Sequence, residues 1–310
     1  MNIVLATDEK FANYCAITIK SVLMHNCQVS FFVITEGLSK KSSKFLKDLV
    51  ENTNNKLTIV NVNSNLFKRL PMPKNEKTEH ISLATYYRLF LPDLLPSIDK
   101  AIYLDCDIIV RKPLDELWNI DMHGACLGAV YQICEWNVEA IKRLGYDSKY
   151  GYFNAGVLLM NLKQLRLINA IDLMMQYIKY NYSTIVYHDQ DVLNAVLYDK
   201  TIRLSCRWNM LSSYFYKEIL RISDFDGKKL ICDHSDYKRI LPKLIKDPDI
   251  VHFVSRPKPW EAKCSHPYKY EFDNVALSLN IRFDAPLIFR LKYMVKMLIF
   301  RYKYFFNEML

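Results

Sequence analysis

The opening 63 residues constrain the fold more tightly than any later stretch. "NIVLAT" (2–7) is a short run almost without polar side chains, and "VSFFVITEG" (29–37) reads as a second strand. A strand with one solvated face alternates; an unbroken apolar run is what a strand covered on both faces of a parallel sheet needs. Between these runs, "FANYCAITIKSVLMHN" (11–26) spaces Tyr14, Ile17 and Val22 at helical intervals. "SKKSSKFLKDLVENT" (39–53) is an amphipathic helix with Ser39 as its cap, and "KLTIVNVN" (56–63) is a third strand. Such alternation predicts an α/β sheet with helices on its faces.

The rest of the chain continues the pattern less regularly. "FKRLPMPKNEKTEHIS" (67–82) reads as a loop and "LATYYRLFLPDLLP" (83–96) as a helix ended by prolines. "KAIYLDCDIIV" (100–110) reads as one strand, "RKPLDELWN" (111–119) as a turn and short helix, and "GACLGAVYQI" (124–133) as another strand. "YGYFNAGVLLMNLKQLR" (150–166) combines a polar turn at Asn154–Gly156 with an apolar strand. A helix over 167–181, a polar turn leading to a helix that begins at "QDVLN" (190–194), a strand and exit loop over 201–211, and a final strand in "DPDIVHFVSRPKPW" (247–260) complete the domain.

Composition narrows the function classes. Only 7 glycines are present, and neither GxGxxG nor GxxxxGK[ST] occurs, so a bound nucleotide would need something other than a glycine nest for its phosphates. The net charge of +9 favours anionic partners, but there is no compact Lys/Arg block or nucleic-acid motif, which argues against nucleic acid. The 8 cysteines lack CxxC spacing, which excludes a zinc knuckle or thioredoxin-like site. "MNIVLATDEK" lacks the basic start and long apolar stretch of a signal peptide, so the expected compartment is the cytoplasm.

The tail "PLIFRLKYMVKMLIFRYKYFFNEML" (286–310) is crowded with aromatic and aliphatic residues but punctuated by Arg290, Lys292, Lys296, Arg301 and Lys303. Those cations interrupt the roughly 20 apolar residues a spanning helix needs. At roughly 100° per residue the lysines fall on one side and the arginines nearly opposite, so the helix is not cleanly two-faced. Basic heads that snorkel beside interfacial aromatics make residues 271–310 a candidate for association with an anionic membrane surface. A terminal helix packed on the domain is the alternative.

Chemistry concentrates first in "YLDCDIIV" (103–110). Residues i and i+2 of a strand share a face, so Asp105 and Asp107 could converge on one hard divalent cation at a strand's carboxyl end. A bare D-x-D is equally what a solvated strand-end turn produces. A haloacid-type phosphatase would need a hydroxyl residue two positions after the second Asp, where Ile109 stands.

Six segments, in order, change that balance: "NIVLATD", "LATYYRLFLPDLLP", "AIYLDCDIIV", "YFNAGVLLMNL", "HDQDVLN" and "VHFVSRPKPW". Together, from residue 1 to about 260, they resemble the family-8 retaining glycosyltransferases, a group that includes lipopolysaccharide galactosyl- and glucosyltransferases and glycogenin. The resemblance implies a GT-A-type Rossmann-like nucleotide-sugar-binding fold, with a mixed, mostly parallel central sheet flanked by helices. It would occupy residues 1–270, followed by the basic aromatic tail.

It further implies Mn²⁺, with Mg²⁺ as the alternative, held by Asp105, Asp107 and His252 and bridging the phosphates of UDP-glucose or UDP-galactose. Mixed oxygen and imidazole ligands suit manganese. Lys258 would contact the diphosphate. Ala6, Thr7, Asp8, Cys106 and Ser255 would line the nucleotide-sugar site, Asp8 facing uracil. Arg88, Asn154, Asp189 and Gln190 would surround the donor sugar, with Asp189 and Gln190 as the catalytic pair. Lys10 and Phe11 depart from the commoner "DxNY" form, and Ser255 stands where a glycine is frequent. Asp191 reads as structural, a helix cap, and His188 as a neighbour of the site. The implied reaction moves a hexose to a glycan or glycolipid such as a lipopolysaccharide core. A front-face mechanism is expected, because an amide at 190 is a poor nucleophile. A nucleotidyltransferase or phosphatase using the Asp pair, and a non-catalytic UDP-sugar-binding protein at the membrane, are the competing readings.

Overall fold

The computed structural model describes residues 1–51, 53–63, 70, 83–132, 136–215, 241 and 243–301. Apart from Leu70, the expected loop over 67–82 lies outside the described residues, as do Cys134, Cys232 and the tail beyond Arg301. The N-terminal apolar runs form parallel strands β1 (Asn2–Ala6), β2 (Ser30–Thr35) and β3 (Lys56–Asn61), connected through α1 (Ala12–Leu23) and α2 (Lys40–Glu51). Ser39 Oγ accepts the Ser42 N–H at 3.1 Å and so caps α2.

Strands β4 (Lys100–Leu104), β6 (Leu127–Tyr131), β7 (Phe153–Asn161) and β8 (Thr201–Arg203) extend this sheet to seven, in the order β3-β2-β1-β4-β7-β6-β8. Only β7 runs against its neighbours, so the sheet is mixed and mostly parallel, as expected. Both faces are covered. Ile3 and Leu5 pack with Cys15, Ile19, Leu46 and Val50 of α1 and α2, while Val4 and Tyr103 pack with residues of α7 (Ala170–Asn181) and α8 (His188–Leu197). Burial on both sides is why β1, β4 and β7 show no alternation, whereas β3 at the sheet's edge has no buried residue. Each fully buried Leu, Ile, Val or Phe contributes about 1.5–3 kcal/mol.

The expected single strand over 100–110 is two. β4 ends at Leu104, and the chain crosses at Asp105–Asp107 into β5 (Ile108–Val110) of a second sheet, order β5-β10-β9, with β9 (Met210–Leu211) and β10 (Ile250–His252). The apolar run was continuous because both halves are buried, each in a different sheet. Asn154–Gly156 is not a turn but lies inside β7, where Asn154 and Gly156 are sheltered by the site's own polar network. Residues 83–94 form a three-ten helix (Leu83–Phe90) and then α3 (Leu91–Leu94), with Pro92 in its first turn, where a missing N–H costs nothing. The helix expected from Gln190 begins at His188.

After the second sheet, α9 (Lys269–Ser278) packs Phe272, Val275 and Ala276 against Ile109, Val251 and Phe253. Then α10 (Leu287–Arg301) lies against the domain through Tyr293, whose hydroxyl accepts the Tyr270 N–H at 3.1 Å, and Phe300, which contacts Phe215 and Tyr268. None of the described helices is long and apolar enough to cross a membrane.

Candidate active site

The crossover between the sheets builds the site. Asp105 N–H bonds Gly156 O at 2.9 Å in the large sheet, and Asp107 O accepts Phe253 N–H at 3.0 Å beside the small one. The two carboxylates therefore converge because the chain turns between two sheets, not because they share the face of one strand. His252, at the end of β10, is almost fully buried between them. Its Nε2 lies 3.1 Å from Asp107 Oδ1 and 3.8 Å from Asp105 Oδ2, and one ligand atom from each of the three residues fits within 4.8 Å of the others.

Each acid has one oxygen engaged by a protein cation and the other turned to His252. Arg88 Nη2 holds Asp105 Oδ1 at 2.8 Å, with the Tyr103 hydroxyl donating to the same oxygen at 3.1 Å. Lys258 Nζ holds Asp107 Oδ2 and donates to Phe253 O at 2.8 Å. Burial alone would raise the Asp107 carboxyl, but Lys258 and His252 outweigh it and hold it well below the carboxylate range. Two carboxylate oxygens and an imidazole nitrogen facing one point are a donor set suited to a divalent cation. The residues present fit that group.

Gly156 makes the approach of these ligands geometrically feasible. A Cβ there would sit 2.1 Å from His252 Cε1 and 2.8 Å from Asp105 Oδ2. No side chain fits without displacing a ligand.

The residues expected around a donor sugar gather on the other side of Arg88. Its Nε lies 2.8 Å from Asp189 Oδ2, so one buried guanidinium bridges Asp105 and Asp189 and also donates to Ala155 O. Burial opposes that charge, but the two acids more than offset it and push the guanidinium up from its ordinary value. Asp189 is pushed up to about 6 by burial, with Arg88 and the Thr85 hydroxyl working against the rise. A strongly shifted carboxyl beside a cation cluster marks a functional site. Gln190 Oε1 accepts from Asn154 Nδ2 at 3.0 Å and from Ala155 N–H at 3.1 Å, and Gln190 Nε2 donates to the Tyr152 hydroxyl at 3.0 Å.

Asp191 is fully buried and accepts from Val186 N at 2.7 Å, Tyr187 N at 2.8 Å, Arg143 Nη1 at 2.8 Å and Tyr152 Oη at 2.8 Å. It fastens the chain entering α8 rather than capping a helix at Gln190. His188 is buried at a left-handed backbone position (φ 49°).

Of the residues expected at a nucleotide, Ala6 ends β1 and Thr7 and Asp8 follow it. Cys106 Sγ donates to Ala6 O at 3.3 Å, and Asp8 Oδ1 accepts the Phe11 N–H at 3.0 Å. Ser255 takes a left-handed conformation (φ 64°), which accounts for glycine at such a position. Trp260, just after Lys258, stacks on Tyr14 of α1 with ring centroids 3.8 Å apart, so the "RPKPW" loop is anchored to the first βα unit.

Asp105, Asp107, His252, Lys258, Arg88, Asp189, Asn154 and Gln190 are joined by contacts and come from strand ends, the 83–90 helix and α8, while Ala6, Thr7 and Asp8 lie at the end of β1 and Ser255 follows β10. Sequence reasoning missed Gly156, Asn209, Thr85, Tyr103 and Tyr152. A glycine inside an otherwise apolar strand, in a chain with so few, was a usable sign of close approach. Asn209 within "RWNML" offered only a polar residue among apolar ones.

The profile of "Glycosyl transferase family 8" matches residues 2–264. The chain belongs to that family. As a family-8 glycosyltransferase it is 28% identical over 279 residues to "General stress protein A" of Bacillus subtilis (strain 168), covering 88% of this chain and 91% of that protein. It is 23% identical over 312 residues to the "Lipopolysaccharide 1,2-glucosyltransferase" of Escherichia coli (strain K12), covering 98% and 87%. Its fold superposes on the crystal structure of the galactosyltransferase LgtC in complex with donor and acceptor sugar analogs, with TM-score 0.78 and 26% identity, covering 94% of this chain and 100% of that one. The GT-A fold of the family-8 enzymes is therefore the fold of this chain.

Proposed function

We propose that this glycosyltransferase moves a hexose, galactose or glucose, from a UDP-sugar to a glycan or glycolipid acceptor, with retention of configuration. The observation that carries this reading is the convergence of Asp105, Asp107 and His252, each acid keeping one oxygen for a cation while Arg88 or Lys258 holds the other. Asp105, Asp107 and His252 would hold a divalent ion, Mn²⁺ by preference, which would supply Lewis-acid neutralisation of a diphosphate. Lys258 adds a fixed charge for the departing UDP. Asp8 meets uracil, with Ala6, Thr7, Cys106 and Ser255 around the nucleotide. Asp189 accepts from sugar hydroxyls, and Arg88 keeps it aimed. The Gln190 amide, held by three hydrogen bonds with Asn154, Ala155 and Tyr152, orients the sugar rather than attacking it. The acceptor hydroxyl then attacks on the face that UDP leaves, and a diphosphate oxygen takes its proton.

The acceptor we infer is membrane-borne, such as a lipopolysaccharide core, reached from the cytoplasmic face. On α10, Leu287, Leu291, Met294 and Leu298, flanked by Ile288, Val295 and Ile299, are 49% to 69% exposed. At about 100° per residue they form one outward stripe, with Arg290 along one edge and Lys292 and Lys296 along the other. Cations on opposite edges of an apolar stripe suit a helix lying in a headgroup layer. We assign membrane association within residues 271–310 to α10, since α9 is packed on the domain.

The test is a screen of UDP-sugars for Mn²⁺-dependent hydrolysis, with UDP-glucose and UDP-galactose as the deciding pair, and the product anomer read by NMR before it equilibrates. Hydrolysis of one, giving the α-anomer of the free sugar, is expected. UDP binding without turnover of any UDP-sugar favours the non-catalytic binding protein, and nucleotidyl transfer without a glycosylated product favours the nucleotidyltransferase.

A further inference from the structure

We propose that Asn209 is a positioning residue for His252, the head of an amide relay that fixes which imidazole nitrogen faces the two aspartates and links His252 to Gln190. The proposal rests on the reading of Asp105, Asp107 and His252 as cation ligands.

The direction of every bond in the relay follows from two backbone N–H groups, which can only donate. Gly156 N–H donates to Asn154 Oδ1 at 2.9 Å, which fixes the carbonyl end of that amide. Asn209 Nδ2 donates to the same oxygen at 2.8 Å. The Asn209 carbonyl must then point away, and its Oδ1 lies 2.9 Å from His252 Nδ1. An amide oxygen has no proton to give, so His252 Nδ1 carries the N–H. With Nδ1 protonated, a neutral imidazole, the form a metal ligand needs, would direct its Nε2 lone pair toward Asp107 Oδ1 and Asp105 Oδ2, at 3.1 and 3.8 Å.

The other branch begins at Ala155. Its N–H donates to Gln190 Oε1 at 3.1 Å, joined by Asn154 Nδ2 at 3.0 Å, so Gln190 Nε2 must face Tyr152 Oη, 3.0 Å away. The Tyr152 hydroxyl in turn donates to Asp191 Oδ1 at 2.8 Å. Asn154 is the junction, with its oxygen serving the His252 branch and its nitrogen the Gln190 branch.

Asn209 is fully buried and immediately precedes β9, whose Leu211 pairs in register with His252. The strand pairing that carries His252 therefore also sets the reach of Asn209. The opposite tautomer would aim an N–H at the carboxylates and leave no lone pair for a metal. An outer partner that fixes a ligating histidine is worth about 10–100-fold in metal affinity.

The experiment uses the full-length chain and measures free Mn²⁺ by its electron paramagnetic resonance signal, with UDP present, for wild type, Asn209→Leu and Asn209→Asp. Asn209→Leu keeps the branched shape, though larger, but accepts nothing from Nδ1, and is expected to bind Mn²⁺ about 10-fold or more weakly. Asn209→Asp keeps an acceptor for Nδ1–H and is expected to stay within about threefold of wild type. A lowered melting temperature in Asn209→Leu with unchanged Mn²⁺ affinity makes Asn209 merely structural and overturns the proposal. Equal loss in both variants also overturns it. Wild type that binds no Mn²⁺ removes the cation reading and the relay together, an outcome distinct from the other two. Should Asn209→Leu not fold, long-range proton–nitrogen NMR of histidine-labelled wild type with Mg²⁺ and UDP decides the matter. A proton on Nδ1 of His252 is expected, and one on Nε2 alone overturns the proposal.

Discussion

The strand-end cluster and the outer face of α10 break the same rule in opposite directions. Around Arg88, His252 and Asp189, charged groups are buried; along α10, large apolar groups stand in water. In the cluster, each buried charge is answered from within the fold: Arg88 meets Asp105 and Asp189, and Lys258 meets Asp107. On α10, the stripe from Leu287 to Ile299 has no covering partner among the described residues. A buried charge network fails sharply when one member is lost, because the partner is left unpaired in a medium that does not solvate it. An exposed apolar face loses affinity in increments as its side chains are removed one by one. The first arrangement suits a site that must hold atoms in place, the second a surface that must find a layer.

Removing Arg88 should give the largest effect. Arg88→Met leaves a buried Asp189 and a partly buried Asp105 without their shared cation, and unfolding by urea should show a loss of about 3–5 kcal/mol. The Asp189 carboxyl, already pushed up to about 6 by burial, would rise further without the guanidinium. A loss below about 1 kcal/mol would mean that the cluster is as tolerant as a surface, and the contrast with α10 would disappear.

Gly156→Ala comes next, aimed at the cation ligands alone. The added Cβ overlaps His252 and Asp105, so Mn²⁺-dependent turnover of a UDP-sugar should fall about 100-fold, the usual penalty for an ångström's misplacement of reacting groups. Binding to vesicles should not change. If turnover survives, His252 moves without consequence and is not a ligand.

These two residues also divide what could be read in the sequence from what could not. Arg88 was legible only through the resemblance, which gives its position in "LATYYRLFLPDLLP" a role beside the donor sugar. Gly156 and Asn209 are given none; they act through space, on His252, from strands distant in sequence, and only the pairing of β9 with β10 and of β4 with β7 reveals them. The apolar runs showed the parallel strands correctly because burial on both faces leaves an unambiguous pattern. The same pattern concealed the break at Asp105–Asp107, since a strand leaving one buried sheet for another stays apolar throughout. On α10, spacing alone separated lysines from arginines. Which side of the helix the domain covers was needed to see that both border one exposed stripe.

The α10 side of the comparison predicts graded losses. Leu291→Glu together with Leu298→Glu should weaken sedimentation with anionic vesicles by at least about tenfold while leaving Mn²⁺ and UDP binding intact. Lys292→Gln with Lys296→Gln should lower binding to anionic vesicles by roughly tenfold and leave binding to zwitterionic ones nearly unchanged. Lys296 also bonds Ser265 Oγ at 2.8 Å, so its melting temperature should be measured alongside. If both double variants sediment like wild type, α10 is not the contact.

The smallest effect tests whether the cluster carries backbone strain that α10 does not. Ser255 holds φ at 64°, a conformation that costs an L-residue about 1–2 kcal/mol. Glycine relieves that strain but loses more entropy on folding, by about 0.5–1 kcal/mol, so Ser255→Gly should stabilise the chain by roughly 0.5–1 kcal/mol. The turn it relaxes begins the loop that brings Lys258 to Asp107, and that ion pair is anchored separately by the stack of Trp260 on Tyr14. UDP affinity should therefore hold while thermal stability rises. A fall in stability instead would mean that the Ser255 hydroxyl is itself a structural partner, and that the site contains a polar contact tight enough to outweigh a left-handed backbone.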